Sequence, residues 1–245
     1  MKKYVLTSIL SLACCIVFAQ QRFTIKVEAG EDINSLISNS RYLFPAFRTG
    51  TVVFDDNTTA KAQLNYDMVM GEMQYQDASG KVMALANPAE ISSILFTDRE
   101  FIYTKRGYVE VLTYFDNKAL LLHRRIKAEN EKPTGAYGMA SDVSAVEKSN
   151  TILTTTQRDV SNLDMMVVET SGATLGGERV TFTTIQTVYL QSDKSLYAGG
   201  SEANFQKVFG KSTKSAIRDY IKSNSLNLKK PTDLIQLFNY LVDNR

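Results

Sequence analysis

The fold class is decided by residues 51–66, which read TVVFDDNTTAKAQLNY. An apolar run ends at Phe54, and three turn-forming residues follow at 55–57. Small or large apolar residues then occupy every second position from Ala60 to Tyr66. Turn residues between alternating apolar positions are the signature of a β-hairpin. This stretch therefore predicts two antiparallel strands joined by a tight turn.

The same pattern recurs along much of the chain. Turn-forming residues at 77–80, 105–107 and 116–118 separate further short apolar runs. Strands spaced at about 8–12 residues favour an antiparallel meander, a sandwich or an open barrel over a parallel sheet. One short helix is predicted within 31–40, where apolar residues have helical spacing.

After residue 200 the apolar period becomes helical. A first helix is expected around Phe205 and is expected to end at Gly210, while Ser212 or Thr213 would cap a second helix. A third helix begins at Pro231. Its apolar stripe comprises Leu234, Ile235, Phe238, Leu241 and Val242. Isolated helices of this length are marginal in water, so we expect these to dock on the β-region or on a partner.

These patterns divide the chain into a β-rich domain at 20–195 and a C-terminal helical segment at 196–245. The expected fold is mainly β, and α+β overall. Residues 129–150 contain few large apolar side chains and predict a long surface loop. Two further strands are expected at 165–170 and 180–190.

The N-terminus has the layout of a secretory signal peptide. Lys2 and Lys3 precede an apolar run from Tyr4 to Ala19, which is shorter than the roughly 20 residues that span a bilayer. Cleavage is predicted after Ala19. The mature protein is then expected in the periplasm, at the outer membrane or outside the cell, with no transmembrane segment.

The two cysteines, Cys14 and Cys15, lie inside the predicted signal peptide. Lipid attachment at one of them is an alternative, but neither has both the aliphatic and the small residue expected before a lipidated cysteine. Cleavage after Ala19 removes both. The mature chain would then have no disulfide and no thiolate nucleophile.

The overall charge is almost balanced, with 28 basic and 26 acidic residues. Loss of Lys2 and Lys3 with the signal peptide removes even the small basic excess. A net charge near zero predicts no electrostatic footprint for nucleic acid and no polybasic membrane anchor. The expected partner is another envelope protein.

Two stretches resemble uncharacterised exported proteins of the Bacteroidetes type. The first contains FRTGTVVF at 47–54, LNY at 64–66, GEMQ at 71–74 and MALANP at 83–88. The second runs from Ile217 through YIKSN at 220–224 and then contains Leu226, Leu228, Asp233, Leu234, Leu237 and Tyr240. This resemblance implies a bacterial-envelope setting and carries no catalytic motif.

Four carboxylates would be candidates for glycoside hydrolysis, which needs two facing acidic groups. They are Glu72, Glu90, Glu110 and Asp116. The single histidine, His123, lacks the companion motifs of a catalytic triad, and the adjacent arginines Arg124 and Arg125 would disfavour its protonated form. The sequence therefore favours structural roles for these residues.

Two further groups of residues are candidates for binding. Asp55, Asp56, Asn57 and Asp77 offer oxygen ligands to calcium, but they lack the spacing of a regular calcium loop. Tyr103, Tyr108 and Tyr114 lie on neighbouring predicted strands, either in a packed face or as an exposed stripe that stacks on sugars.

No catalytic residue, cofactor or metal site is therefore predicted. The function expected from the sequence is that of a non-enzymatic interaction or structural protein of the bacterial cell envelope. Two alternatives stay open: a protein that binds a small ligand or glycan, and a hydrolase that depends on carboxylates.

Overall fold

A computed structural model describes residues 22–27, 33–130, 178–193 and 195–244 of the chain. The described residues form eleven β-strands and four α-helices. The strands are β1 (Arg22–Val27), β2 (Arg48–Phe54), β3 (Thr59–Asp67), β4 (Glu72–Gln76), β5 (Val82–Ala84), β6 (Ile91–Leu95), β7 (Glu100–Thr104), β8 (Gly107–Phe115), β9 (Lys118–Asn130), β10 (Glu178–Ser192) and β11 (Ser195–Ala198). The helices are α1 (Ile33–Arg41), α2 (Glu202–Phe209), α3 (Lys214–Ser223) and α4 (Pro231–Asp243).

All eleven strands belong to one sheet, in the order β1-β10-β9-β8-β7-β6-β2-β3-β4-β5. Every pairing is antiparallel. β11 pairs with the far end of β10, on the same side as β1. Most sequence neighbours are therefore sheet neighbours. The mainly β, antiparallel fold predicted from the alternating pattern is confirmed.

The predicted hairpins also form, because their turns contain residues that tolerate a positive φ. Asn57 lies in the β2–β3 turn with φ 66°, and Asp116 lies in the β8–β9 turn with φ 55°. Gly80 and Gly107 occupy the corresponding positions of the β4–β5 and β7–β8 turns. Glycine, asparagine and aspartate enter this region at the lowest steric cost.

The sheet curls so that β3 returns to β9. The hydroxyl of Tyr66 donates a hydrogen bond to the backbone carbonyl of Arg124 at 3.0 Å, and the backbone N–H of Ile126 donates to the carbonyl of Met68 at 2.8 Å. The concave side of this curled end is apolar. Its buried members include Ile37, Val52, Leu64, Tyr66, Met73, Ile94, Phe96 and Phe101.

The C-terminal helices cover the other end of the same face. α2 packs on β10, α4 packs on β8 and β9, and α3 packs on α2 and α4. The apolar cluster beneath them includes Leu120, Leu190, Phe205, Val208, Ile217, Leu234, Leu237, Phe238 and Leu241. The helices therefore dock within the chain, although Ile235 and Val242 of the predicted stripe are only partly buried.

Residues 120–123 of β9 are buried on both faces of the sheet. Leu120 lies under the helices, whereas Leu121 packs with Val109 and Tyr189 on the opposite face. Successive side chains of a strand point to opposite faces, so a run of leucines is buried only when both faces are covered.

Several local predictions need correction or lie outside the described residues. The Thr213 side chain does not cap α3; its hydroxyl donates to the carbonyl of Gly210, within the short 3₁₀ turn Lys211–Thr213. Residues 195–198 belong to the sheet, so helix begins only at Glu202. Most of the predicted 129–150 loop, the predicted strand at 165–170 and the signal segment lie outside the described residues. Among the described residues no helix has the length and apolar character of a membrane span.

Candidate functional site

Asp67 is the most completely engaged of the buried carboxylates. Its Oδ1 accepts hydrogen bonds from the backbone N–H groups of Val69 and Met70, at 2.9 and 3.1 Å. Its Oδ2 accepts from Nε of Arg41 at 2.6 Å and from the amide of Gln74 at 3.2 Å. Both oxygens are therefore used to fix the β3–β4 turn and to hold the end of α1 against it.

Glu72 lies directly opposite Asp67 in the register of β3 and β4. Burial is the main factor that raises the pKa of the Glu72 carboxyl, and the charge of Asp67 raises it further, while Arg41 and Gln74 oppose the shift. A half-buried acid beside a second carboxylate is the pattern of an acid–base pair. Asp67 is however fully buried, so it has no surface from which to meet a substrate.

Glu110 forms the second buried ionic network. Nη1 of Arg99 lies 3.1 Å from each of its carboxylate oxygens, and Arg124 binds the same carboxylate. Arg99 also approaches Asp98, which pairs with Arg48 at 2.8 Å. The network runs from the protein interior to the surface and joins the β6–β7 turn, β8 and β9 to the start of β2.

The other two predicted carboxylates join neither network. Glu90 lies in a 3₁₀ turn and is exposed, and Asp116 is exposed in the β8–β9 turn. No two of the four predicted acids are brought together as a facing pair. The strongest partner of Glu72 is Asp67, which the sequence reasoning did not single out because their contact depends on strand register.

His123 is buried and lies on the face of β9 that carries Leu121. Its ring lies 6.4 Å from the ring of Tyr189. Burial lowers the pKa of His123 to about 4, and the charges of Arg125 and Arg106 add to the effect. Arg124 points to the opposite face, toward Glu110. The prediction that the neutral form of His123 is favoured is therefore confirmed, but the main cause is burial and the arginine charges are secondary.

The candidate calcium ligands are divided between two hairpin turns. Oδ1 of Asp56 accepts from the N–H and the hydroxyl of Thr58, and Oδ1 of Asp77 does the same for Ser79. These bonds lower the pKa of both carboxyls. Within the described ranges, no three or more acidic, histidine or cysteine side chains group as metal ligands would. Both aspartates act as turn-forming residues.

The three predicted tyrosines do not form a stripe. Tyr103 and Tyr108 are cross-strand partners with ring centroids 5.1 Å apart, but Tyr108 is buried and only Tyr103 is substantially exposed. A β-bulge follows Val111 in β8. One extra residue in a strand reverses the face of those that follow. Tyr114 therefore lies on the other face.

A basic surface on the C-terminal helices was missed by the sequence reasoning. We call it the basic helical surface. It consists of the exposed residues Lys207, Lys211, Lys214, Arg218, Lys222, Lys229 and Lys230. The sequence reasoning considered only the net charge of the chain, which is near zero. The clustering of these basic residues within one short segment could have predicted the surface.

Comparison of the chain with protein families, with curated proteins and with solved structures finds no match.

Proposed function

We propose that this chain is a non-enzymatic interaction or structural protein of the bacterial cell envelope. The observation that carries the proposal is that the buried acidic groups hold the fold together. Asp67 and Glu110 are bound by arginines and turn amides that connect separate parts of the fold. A carboxylate held in this way stabilises the tertiary structure and is not free to transfer a proton to a substrate.

The envelope setting is supported by the signal-peptide layout of residues 1–19 and by the resemblance described above. Neutral His123 is consistent with a non-catalytic role, because a general base needs a pKa near the working pH and access to the reactant.

The first test is cell fractionation followed by mass spectrometry of the intact protein. We expect the chain in the envelope or periplasmic fraction with Gln20 as its first residue. A diacylglyceryl group on Cys14 or Cys15 would contradict cleavage after Ala19 and would show that the protein is anchored by lipid. Recovery of the uncleaved chain in the cytoplasm would contradict the envelope assignment.

The second test addresses the hydrolase alternative, which the raised pKa of Glu72 favours most directly. We expect no turnover when the purified mature protein is assayed against a panel of glycosides. Activity that Glu72→Gln abolishes while the protein stays folded would overturn the non-enzymatic proposal. His123→Gln serves as a matched substitution at a titratable residue away from that pair.

A further inference from the structure

The basic helical surface concentrates positive charge in a chain whose total charge is small. The segment from 202 to 230 contains seven basic and two acidic residues, whereas the rest of the chain contains 21 basic and 24 acidic residues. The segment therefore has a net charge of +5 and the remainder −3. Charge separated in this manner creates a local field that the overall balance does not reveal.

The fold aligns four of these seven charges. Lys211, Lys214, Arg218 and Lys222 are separated by three, four and four residues, which places them along one side of α3 and the turn before it. Ile217 is fully buried on another side of the same helix. Because α3 packs on α2 and α4, which themselves pack on the sheet, its basic side faces outward.

Few of these charges are neutralised by the part of the chain that the structure describes. Arg218 pairs with Glu202 at 3.1 Å, and the ammonium of Lys207 lies 5.3 Å from the ring of Tyr197. Among the described residues, the five other lysines have no carboxylate within ion-pair distance. Like charges four residues apart destabilise a helix by a few tenths of a kcal/mol each. The spacing of these cations is therefore not explained by helix stability, although Lys222, in the last turn, interacts favourably with the helix dipole.

We propose that the basic helical surface binds the anionic headgroups of a lipid membrane. Six of its seven cations are lysines. An ammonium is a mobile point charge, whereas specific recognition of one phosphate or carboxylate favours the planar fork of arginine. A row of lysines about 16 Å long instead suits several headgroups in a fluid surface.

This inference rests on the proposed envelope location, because a membrane surface is the extended anionic partner that an exported protein meets there. Nucleic acid would also attract a row of lysines. An exported chain has no regular access to nucleic acid, so we assign the surface to lipid and use nucleic acid as a competing outcome of the test.

The test is co-sedimentation of the purified mature protein with vesicles at about 100 mM salt, where charges more than about 10 Å apart are largely screened. One vesicle preparation contains phosphatidylcholine alone, and the other contains phosphatidylcholine mixed with phosphatidylglycerol. We expect binding to the mixed vesicles only. Raising the salt to about 0.5 M should release the protein, because the attraction is electrostatic.

A matched pair of variants locates the site. The triple variant Lys211→Gln, Lys214→Gln and Lys222→Gln removes three charges from the surface. The control variant Lys61→Gln, Lys81→Gln and Lys105→Gln removes three exposed charges from other turns and strands. At roughly a factor of five for each lysine near an anionic membrane, the first variant should bind about 100-fold more weakly, while the control should bind like the wild type.

Three results would overturn the inference: no binding of the wild type to the mixed vesicles, equal losses in both variants, or binding to duplex DNA with no binding to vesicles. These experiments use purified protein, so their outcome is independent of where fractionation finds the protein in the cell. Conversely, a cytoplasmic location would overturn the proposed function whatever the vesicles show. Thermal unfolding of both triple variants confirms that they are folded.

Discussion

The two ends of the curved sheet are stabilised by different kinds of interaction. Under the C-terminal helices the buried cluster is apolar throughout, from Leu120 on β9 to Phe238 on α4. The curled end has an apolar core too, but it also contains the buried ion pair of Arg41 with Asp67, and Glu110 and Arg124 lie beside it.

The two ends therefore differ in how strictly their interactions specify one arrangement of the chain. Apolar burial is non-directional, so the helix-covered end tolerates apolar substitutions that conserve the total volume. Buried ionic groups are stable only with their partners in place, which ties the curl of the sheet to one arrangement. The curled end should therefore respond to the loss of a single partner, whereas the helix-covered end should respond to the loss of volume.

The largest effects are expected from one substitution at each end, and the first of these lies at the curled end. Arg124→Met leaves Glu110 buried with only Arg99 as a charged partner, and should lower the free energy of unfolding by about 3–5 kcal/mol. Adding Glu110→Leu should restore most of the loss, because no uncompensated buried charge remains. Urea unfolding of the single and double variants measures both. A double variant as unstable as the single one would contradict the ionic explanation.

At the helix-covered end, Phe238→Ala removes a ring that is fully buried between the helices and the sheet. The cavity should lower the free energy of unfolding by about 3–5 kcal/mol. Asp243→Ala, at an exposed position of the same helix, is the control and should change it by less than about 0.5 kcal/mol. Truncation before Pro231 should lower the melting temperature or give insoluble protein. Unchanged melting after truncation would show that α4 contributes nothing to the folded state.

A pH-dependent effect is expected at His123, which lies between the two ends on the other face of β9. Its pKa falls from 6.5 to about 4 on folding, so the unfolded chain binds the proton more tightly. The contribution of neutral His123 to the free energy of unfolding should therefore be fully present above pH 6.5. It should decrease as the pH falls toward 4, by at most about 3 kcal/mol. The free energy of unfolding of the wild type and of His123→Gln, measured across this pH range, gives the contribution of His123. An identical slope in both proteins would assign it to carboxylates.

The smallest effect concerns the packing of α4 on the loop before α2. A Cβ added at Gly200 would lie within 3.0 Å of three atoms of the Leu234 side chain. Gly200→Ala should therefore lower the free energy of unfolding by about 1–3 kcal/mol through overpacking. Combining it with Leu234→Ala should give less than the sum of the two losses, since the smaller side chain leaves room for the new methyl group. Additive losses in that double-mutant cycle would exclude the clash.

The sequence by itself determined the elements whose signals are local. The alternation at 51–66 predicted β2, β3 and their turn, and the spacing of Leu234, Phe238 and Leu241 predicted the buried side of α4. These predictions hold because a strand and a helix impose fixed periods of two and 3.6 residues on any side that is buried. Turn residues such as Asn57 are equally local, since their positive φ depends on their own side chain.

Only the tertiary structure decided which polar groups meet. Asp67 contacts Arg41 across 26 residues of sequence, and Glu110 contacts Arg124 across 14. The bulge in β8 separated Tyr114 from Tyr108, and the packing of α3 turned its lysines outward. Each outcome depends on strand register or helix docking, where a shift of one residue moves a side chain to the other face. No local period contains that information, because these contacts form only when distant segments pack together.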